Sequence, residues 1–170
     1  MQLARLIEGL QTKDIQGSIH REIKDLSFNS KEIGTDCLFV ALRGTRVNGH
    51  DFIPEALASG AQTLIVEEET RTGNDITVIT VPDTRIALAH VADCFYQHPS
   101  QNLTVIGITG TNGKTTISYL VESILKEAGC NPGVIGTIDY RFGSHHRDAP
   151  NTTPNALDLQ KIMKEMVDDK

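Results

Sequence analysis

The stretch Gly107-Ile108-Thr109-Gly110-Thr111-Asn112-Gly113-Lys114-Thr115-Thr116 decides how this chain is read. The apolar run that enters it, Leu103-Thr104-Val105-Ile106-Gly107-Ile108-Thr109, has the length and character of a buried strand. Residues 117–128, on its other side, have the spacing of an amphipathic helix closed by Gly129. A strand that turns through glycines into a helix makes an anion cradle. The glycines let successive backbone N–H groups face inward, and the helix N-terminus adds partial positive charge. In that setting Lys114 is the residue to reach the β- and γ-phosphates of a nucleotide, and the Thr115 hydroxyl is the ligand for Mg²⁺. The strict phosphate-loop pattern asks for glycine where this chain has Ile108, with Gly107 and Gly110 on either side, so it fails by one position. The competing reading is a glycine-rich turn with an incidental lysine; both flanks argue against it.

Outward from the loop, Val134-Ile135-Gly136-Thr137-Ile138 reads as the next strand, and strand–helix–strand order predicts parallel pairing. Residues 140–150 read as an excursion or hairpin. A last helix is predicted from Thr153-Pro154, with proline in its first turn and a stripe of Ala156, Leu157, Leu159, Ile162, Met163, Met166 and Val167. One crossover and a trailing helix do not cover a parallel sheet, so this second unit reads as the start of a domain cut short. Upstream, the polar, proline-containing stretch 98–102 is the candidate linker.

Before the linker, Leu3, Leu6, Ile7 and Leu10 predict a short helix, and Ile23, Leu26 and Phe28 a strand. Cys37-Leu38-Phe39-Val40-Ala41-Leu42 is apolar throughout, as in a strand buried on both faces. Residues 50–59 read as a helix stopped by Gly60, and residues 63–66 and 76–81 as strands. Asp83 is the expected cap of a helix that carries Ile86, Leu88, Ala89, Val91, Ala92 and Phe95 toward a core and ends at Pro99. The fold class is therefore α/β: a self-contained α/β domain over 1–100, then the opening of a phosphate-loop, parallel-sheet domain over 101–170.

Composition bounds the function. At 170 residues, 39% hydrophobic and 22% charged, the chain is neither disordered nor collagen-like. No apolar run approaches the roughly 20 residues of a membrane span, and no signal peptide is visible. A net charge of −6 argues against a broad basic face for nucleic acid. Cys37, Cys94 and Cys130 lie far apart, as reduced structural thiols of a cytoplasmic protein would. The expectation is a cytoplasmic monomer with neither a nucleic-acid nor a membrane partner.

Three stretches together carry a resemblance. Gly110-Thr111-Asn112-Gly113-Lys114-Thr115-Thr116 resembles the ATP loop of the Mur ligases and their folylpolyglutamate-synthetase relatives. Asn29-Ser30-Lys31, then residues 37–44 and Gly49-His50-Asp51-Phe52-Ile53, are similar to the uridine-nucleotide domain of that family. Asn151-Thr152-Thr153-Pro154 with Ala156-Leu157-Asp158-Leu159-Gln160 resembles a segment typical of its UDP-N-acetylmuramoyl-tripeptide synthetases.

The resemblance implies an ATP-dependent amide-bond ligase that adds meso-diaminopimelate or L-lysine to UDP-N-acetylmuramoyl-L-alanyl-D-glutamate, through an acyl phosphate. ATP and Mg²⁺ are the implied cofactors, and the fragment alone is expected to be inactive. It assigns Gly110, Thr111, Asn112, Gly113, Lys114, Thr115 and Thr116 to ATP, with Lys114 catalytic and Thr115 on the metal. Ser30 and the loop Thr45, Arg46, Val47 fall to the UDP end of the substrate. Asn151, Thr152 and Thr153 fall to its muramoyl-peptide end. Plainer readings stand beside these: a turn serine at Ser30, a solvated Arg46, and helix capping by Thr153. His145-His146 and Glu67-Glu68-Glu69 read as solvated polar residues, and His50 as a polar residue at a helix start. Two alternatives remain: another Mur-type ligase (D-alanyl-D-alanine-adding, or cyanophycin synthetase), or a non-catalytic UDP-sugar-binding protein.

Overall fold

β-Branched and aromatic side chains suit a pleated backbone packed on both faces, and the densest such runs become the central strands. The structure, a computed structural model, describes residues 1–44 and 47–169. The chain divides into two compact units, Met1–Gln97 and His98–Lys170.

The first unit runs α1 (Leu3–Leu6), β1 (Asp14–Gln16), β2 (Asp25–Ser27), β3 (Cys37–Val40), α2 (Ile53–Ala58), β4 (Thr63–Val66), β5 (Thr77–Thr80), α3 (Thr84–Phe95). Sheet order is β1-β5-β4-β3-β2, with β2 to β5 mutually parallel and β1 antiparallel on the β5 edge. Leu38 sits opposite Leu26 and Thr63, and Ile65 opposite Val40 and Ile79. Every residue of β3, β4 and β5 is buried, as in a parallel sheet covered on both faces. Phe39, Leu64, Val66 and Val78 pack with Ile53 and Ala56 of α2; the alternating Leu38, Val40, Ile65 and Ile79 point to the opposite face and are equally buried.

Helix ends follow their signals. The Asp83 carboxylate accepts from the N–H groups of Arg85 and Ile86 at the start of α3. Gly60, at φ +102°, ends α2 with Ala61 N–H on Ala56 O and Gly60 N–H on Leu57 O, a Schellman motif. Four expectations need correction here. Residues 49–52 form a 3₁₀ turn ahead of α2 rather than its first turn. Ile86 is 67% exposed, because the buried face of α3 is set by Thr84, Ala87, Leu88, Val91 and Ala92. α3 ends at Phe95, and Pro99 opens a separate 3₁₀ turn after left-handed Gln97 and His98. The edge strand β1, exposed at all three residues, carries no alternation and was not expected.

The second unit contains α4 (Lys114–Glu127), β6 (Val134–Ile135), β7 (Asp139–Phe142), β8 (His145–Asp148) and α5 (Ala156–Asp168). Its sheet is the antiparallel meander β6-β7-β8. This corrects the expected parallel crossover: residues 104–110 form no strand, with Val105 and Ile106 more than half exposed. A strand exists through its hydrogen-bonded neighbours; Val134 and Ile135 pair antiparallel with Arg141 and Tyr140, and β6 has no second neighbour among the described residues. Gly129, at φ +78°, closes α4 with Cys130 N–H on Leu125 O and Gly129 N–H on Lys126 O. Asn155, not Thr153, caps α5, accepting the Asp158 N–H. Tyr140 and Phe142 pack with Ile162 of α5. No helix among the described residues is long and apolar enough to cross a membrane.

Candidate active site

In the second unit, the loop before α4 uses its glycines as conformation demands. Gly113 is the N-cap of α4 at φ +78°, and Gly110 lies at φ +153°. The Lys114 ammonium folds back over the loop and donates to Gly110 O at 2.7 Å. Thr115 stands in the first turn of α4, where its backbone oxygen accepts the Ser118 hydroxyl at 2.7 Å. Thr111, Asn112 and Thr116 are exposed. A cavity of about 800 Å³ opens beside the segment that enters this loop; its wall includes Gly107, Ile108, Ser118, Glu122, Thr152 and Thr153, and residues 110–116 are not on it. Thus the entry of the loop and two of the three positions expected from the sequence to meet the peptide end share one cavity wall. The third, Asn151, is exposed and offers its carbonyl to the Tyr140 hydroxyl at 2.7 Å.

Two turns along α4 from the loop lies a charged network centred on Glu122. Glu122 of α4 takes Arg141 Nε at 3.1 Å and Arg141 Nη2 on its second oxygen, while Lys126 adds a 2.8 Å ion pair. Arg141 also bonds Asp139 and lies 4.3 Å from the centroid of the Tyr119 ring. Asp139 reaches His146 Nε2 at 2.9 Å. The Arg141 guanidinium, against the opposing effect of burial, holds the Glu122 carboxyl at about 2. Glu122 in turn holds Arg141 more firmly protonated than usual. The one signal in the sequence was a glutamate set between Val121 and Leu125, which both line the cavity.

In the first unit the relevant residues follow the C-terminal ends of the parallel strands, where open α/β sheets form their ligand crevices. Ser30, just after β2, is 4% exposed and donates its hydroxyl to Glu55 Oε2 at 2.7 Å. Its proton is therefore committed, and its lone pairs remain to accept from a ligand N–H. Val47, after β3, is 56% exposed; Thr45 and Arg46 lie outside the described residues. His50 Nε2 accepts the Glu67 N–H at 2.9 Å, which puts the ring proton on Nδ1, 2.9 Å from Asn48 Oδ1. Glu67 is not a solvated strand end: it accepts the N–H and hydroxyl of Thr84. Burial works against its ionisation, yet the two Thr84 bonds and Arg43 bring its carboxyl below the usual value. Burial pushes the Cys37 thiol up to about 11 and raises that of Cys94.

Among the described residues no three His, Cys, Asp or Glu side chains converge as a metal site would require. The single Thr115 hydroxyl fits a hard cation that arrives on nucleotide phosphates and keeps its own waters, as Mg²⁺ does. His145 stacks on Phe142, with ring centroids 4.9 Å apart.

Residues 22–96 match the model of the Mur ligase family catalytic domain, and residues 108–170 that of the Mur ligase middle domain. The chain belongs to the Mur ligase family. This Mur ligase chain is 42% identical to the UDP-N-acetylmuramoyl-L-alanyl-D-glutamate–2,6-diaminopimelate ligase of Geobacter sulfurreducens, over 98% of the chain and 32% of that protein. It is 41% identical to the ligase of that name from Clostridium perfringens, over 99% of the chain and 35% of that protein. A solved ligase of the same name shares the fold at TM-score 0.71 and 24% identity, over 99% of this chain and 34% of that one. The D-alanyl-D-alanyl ligase from Acinetobacter baumannii follows at TM-score 0.61 and 25% identity, covering 96% of this chain and 33% of that one. The Mur ligase chain thus spans about a third of the length of the curated relatives it matches.

Proposed function

We propose that this chain supplies the substrate-nucleotide and ATP-handling parts of a ligase that adds diaminopimelate to UDP-N-acetylmuramoyl-L-alanyl-D-glutamate. The observation that carries the reading is the cavity of the second unit, whose wall joins Gly107 and Ile108 to Thr152 and Thr153. A phosphate donor and a carboxylate acceptor have to meet in one such space. The names of the relatives at about 40% identity support diaminopimelate as the incoming amino acid.

In this reading Lys114 exchanges Gly110 O for the terminal phosphate oxygens of ATP, and the N–H groups of residues 110–116 hold the remaining charge. Thr115 is the residue that would hold Mg²⁺ on the phosphates, and the ion would supply charge neutralisation to the transferring group. Phosphoryl transfer needs positioning and charge compensation more than a protein nucleophile. The D-glutamyl carboxylate attacks the γ-phosphorus and ADP leaves; the amine of the amino acid then attacks the acyl phosphate and inorganic phosphate leaves. Asn151, Thr152 and Thr153 hold the peptide end. Ser30 and the Thr45–Arg46–Val47 loop serve the UDP end, with Arg46 suited to the pyrophosphate.

The test is titration of the chain with Mg·ATP and with the UDP-muramoyl dipeptide, followed by amide chemical shifts. Mg·ATP is expected to move residues 110–116, and Lys114→Ala to weaken binding by about ten- to hundredfold, the loss of one charge-assisted phosphate contact. The dipeptide is expected to move Ser30, Val47, Thr152 and Thr153. A phosphate loop unmoved by millimolar Mg·ATP would remove the reading.

A further inference from the structure

β7 stands at the centre of the second unit, and its two faces do different work. Successive side chains alternate sides along a strand. Tyr140 and Phe142 enter the core with Ile162 of α5, and Asp139 and Arg141 take the other side. There Arg141 meets α4 at Glu122 and Tyr119, which are three residues apart and so share one helix face. Its guanidinium engages the Glu122 carboxylate through two nitrogens, Asp139 through a third, and the Tyr119 ring through its face. All three charged side chains are at most 16% exposed.

A buried ion network of this kind is a poor means of adding stability, since well-packed apolar side chains of similar volume often serve as well or better. It is a good means of fixing geometry, because a planar guanidinium bound at two oxygens tolerates little rotation. What it fixes here is α4, whose first turn carries Lys114 and Thr115, about 12 Å along the helix axis from Glu122. One residue away on the same strand, Tyr140 ties down the carbonyl of Asn151, beside Thr152 and Thr153. The helix that carries Lys114 and Thr115 and the segment that carries Thr152 and Thr153 are thus both referred to adjacent residues of β7.

We propose that Arg141 is a positioning residue for the phosphate loop: by clamping Glu122 of α4 to Asp139 of β7, it sets Lys114 and Thr115 relative to the Asn151–Thr153 segment that Tyr140 anchors. The inference rests on the ATP reading of the loop, so its test carries a control for that reading.

Mg·ATP affinity of the chain is measured, alongside thermal unfolding, for wild type, Lys114→Ala, Arg141→Lys and the double variant Glu122→Leu/Arg141→Met. The double variant removes both charges together, leaving Asp139 to His146, and is expected to keep an unfolding midpoint near wild type. It is nevertheless expected to bind Mg·ATP about five- to twentyfold more weakly, with the amide shifts induced at residues 110–116 altered in direction. Arg141→Lys keeps the charge and loses the fork; a smaller weakening, about threefold or more, is expected, and it serves alone if the double variant does not fold. A merely structural role would lower the midpoint and leave the affinity of the folded protein unchanged. If Lys114→Ala weakens binding and neither Arg141 variant does, the positioning role is wrong and the loop assignment stands. If wild type and Lys114→Ala bind alike, or neither binds, the loop assignment fails and takes this inference with it.

Discussion

Glu122 illustrates how a single partner moves a carboxylate and thereby ties stability to pH. Arg141 first, and Lys126 after it, bring its carboxyl from the ordinary 4.5 to about 2, although burial opposes them. A group whose folded-state value is depressed adds stability above its unfolded value and loses it as pH falls through the folded one. The window therefore runs from about pH 4.5 down to about pH 2, and the contribution at stake is on the order of 3 kcal/mol. Thermal unfolding of wild type and Glu122→Gln across that range, with Asp139, His146, Arg141 and Lys126 unchanged, reads it directly. The variant is expected to melt lower at pH 7, with the deficit narrowing through the window and closing near pH 2. A deficit constant down to pH 2 would mean that Glu122 is not held ionised by its neighbours. Gly49 poses a steric question instead. An added Cβ there would lie 2.5 Å from Leu42 O and 2.6 Å from Leu42 N, both backbone atoms, where Gly49 N–H also donates to Leu42 O. Gly49→Ala is expected to destabilise the first unit by about 1–3 kcal/mol, seen as a lower urea midpoint. An unchanged midpoint would show that the turn between β3 and α2 yields easily.

Among the elements, the segment 103–109 and the strand β4 make a useful pair, because both are apolar and only one is a strand. Thr63–Val66 hydrogen-bonds on both edges, to β3 and β5, and is buried throughout. Residues 104–110 join no strand among the described residues. Protection from exchange follows hydrogen bonding and burial rather than composition. Amides of residues 104–109 are therefore expected to exchange within minutes at neutral pH, while those of Leu64, Ile65 and Val66 are the slowest in the chain. Slow exchange at Val105 and Ile106 would show that the segment pairs in solution. The same contrast explains what was legible in the sequence. Local signals were sufficient where the cause is local: Asp83 as a cap, Gly60 and Gly129 as helix stops, Cys37–Val40 as a doubly buried strand. They failed where a partner distant in sequence decides. Parallel pairing of 103–109 needs a neighbour on its edge; Ile86 is turned outward by the packing of Ala87 and Val91; β1 is a strand only because β5 lies beside it. The glycine turn that leads into α4 at Gly113 was legible for the same reason the caps were, since such a turn is contiguous. The Ser30–Glu55 bond and the Glu122–Arg141 clamp join residues 25 and 19 positions apart, and no pattern in either segment names the other.

At the scale of the whole chain, the two units differ in how they satisfy their own apolar surface. Residues 1–97 hold a sheet buried on both faces, with α2 packed on Phe39 and Leu64, and with α1 and α3 in mutual contact. The edges are managed as well: β1 is short, polar at Asp14 and Gln16, and exposed at every residue, which discourages pairing with another chain. Such a unit has its own core and is near the usual size of a domain. In the second unit Ile117, Leu120 and Ile124 of α4, with Val105 and Ile106, are each at least 46% exposed. The first unit is therefore expected to fold by itself. Residues 1–97, expressed alone, should unfold cooperatively in urea, with amide shifts for Asp25–Ser27, Cys37–Val40, Thr63–Val66 and Thr77–Thr80 matching those in the full chain. Titration of this fragment with UDP tests the ligand end at the same time. Because the Ser30 hydroxyl proton is given to Glu55, the serine oxygen is left as an acceptor, and the uracil ring offers an N–H donor. Shifts at Ser30 and Val47 that Ser30→Ala abolishes, and that Glu55→Gln alters without loss of fold, are the expected result. A folded fragment whose Ser30 and Val47 amides ignore millimolar UDP would return both residues to ordinary turn chemistry. A fragment that fails to fold would show that this sheet, buried as it is, depends on chain beyond Gln97.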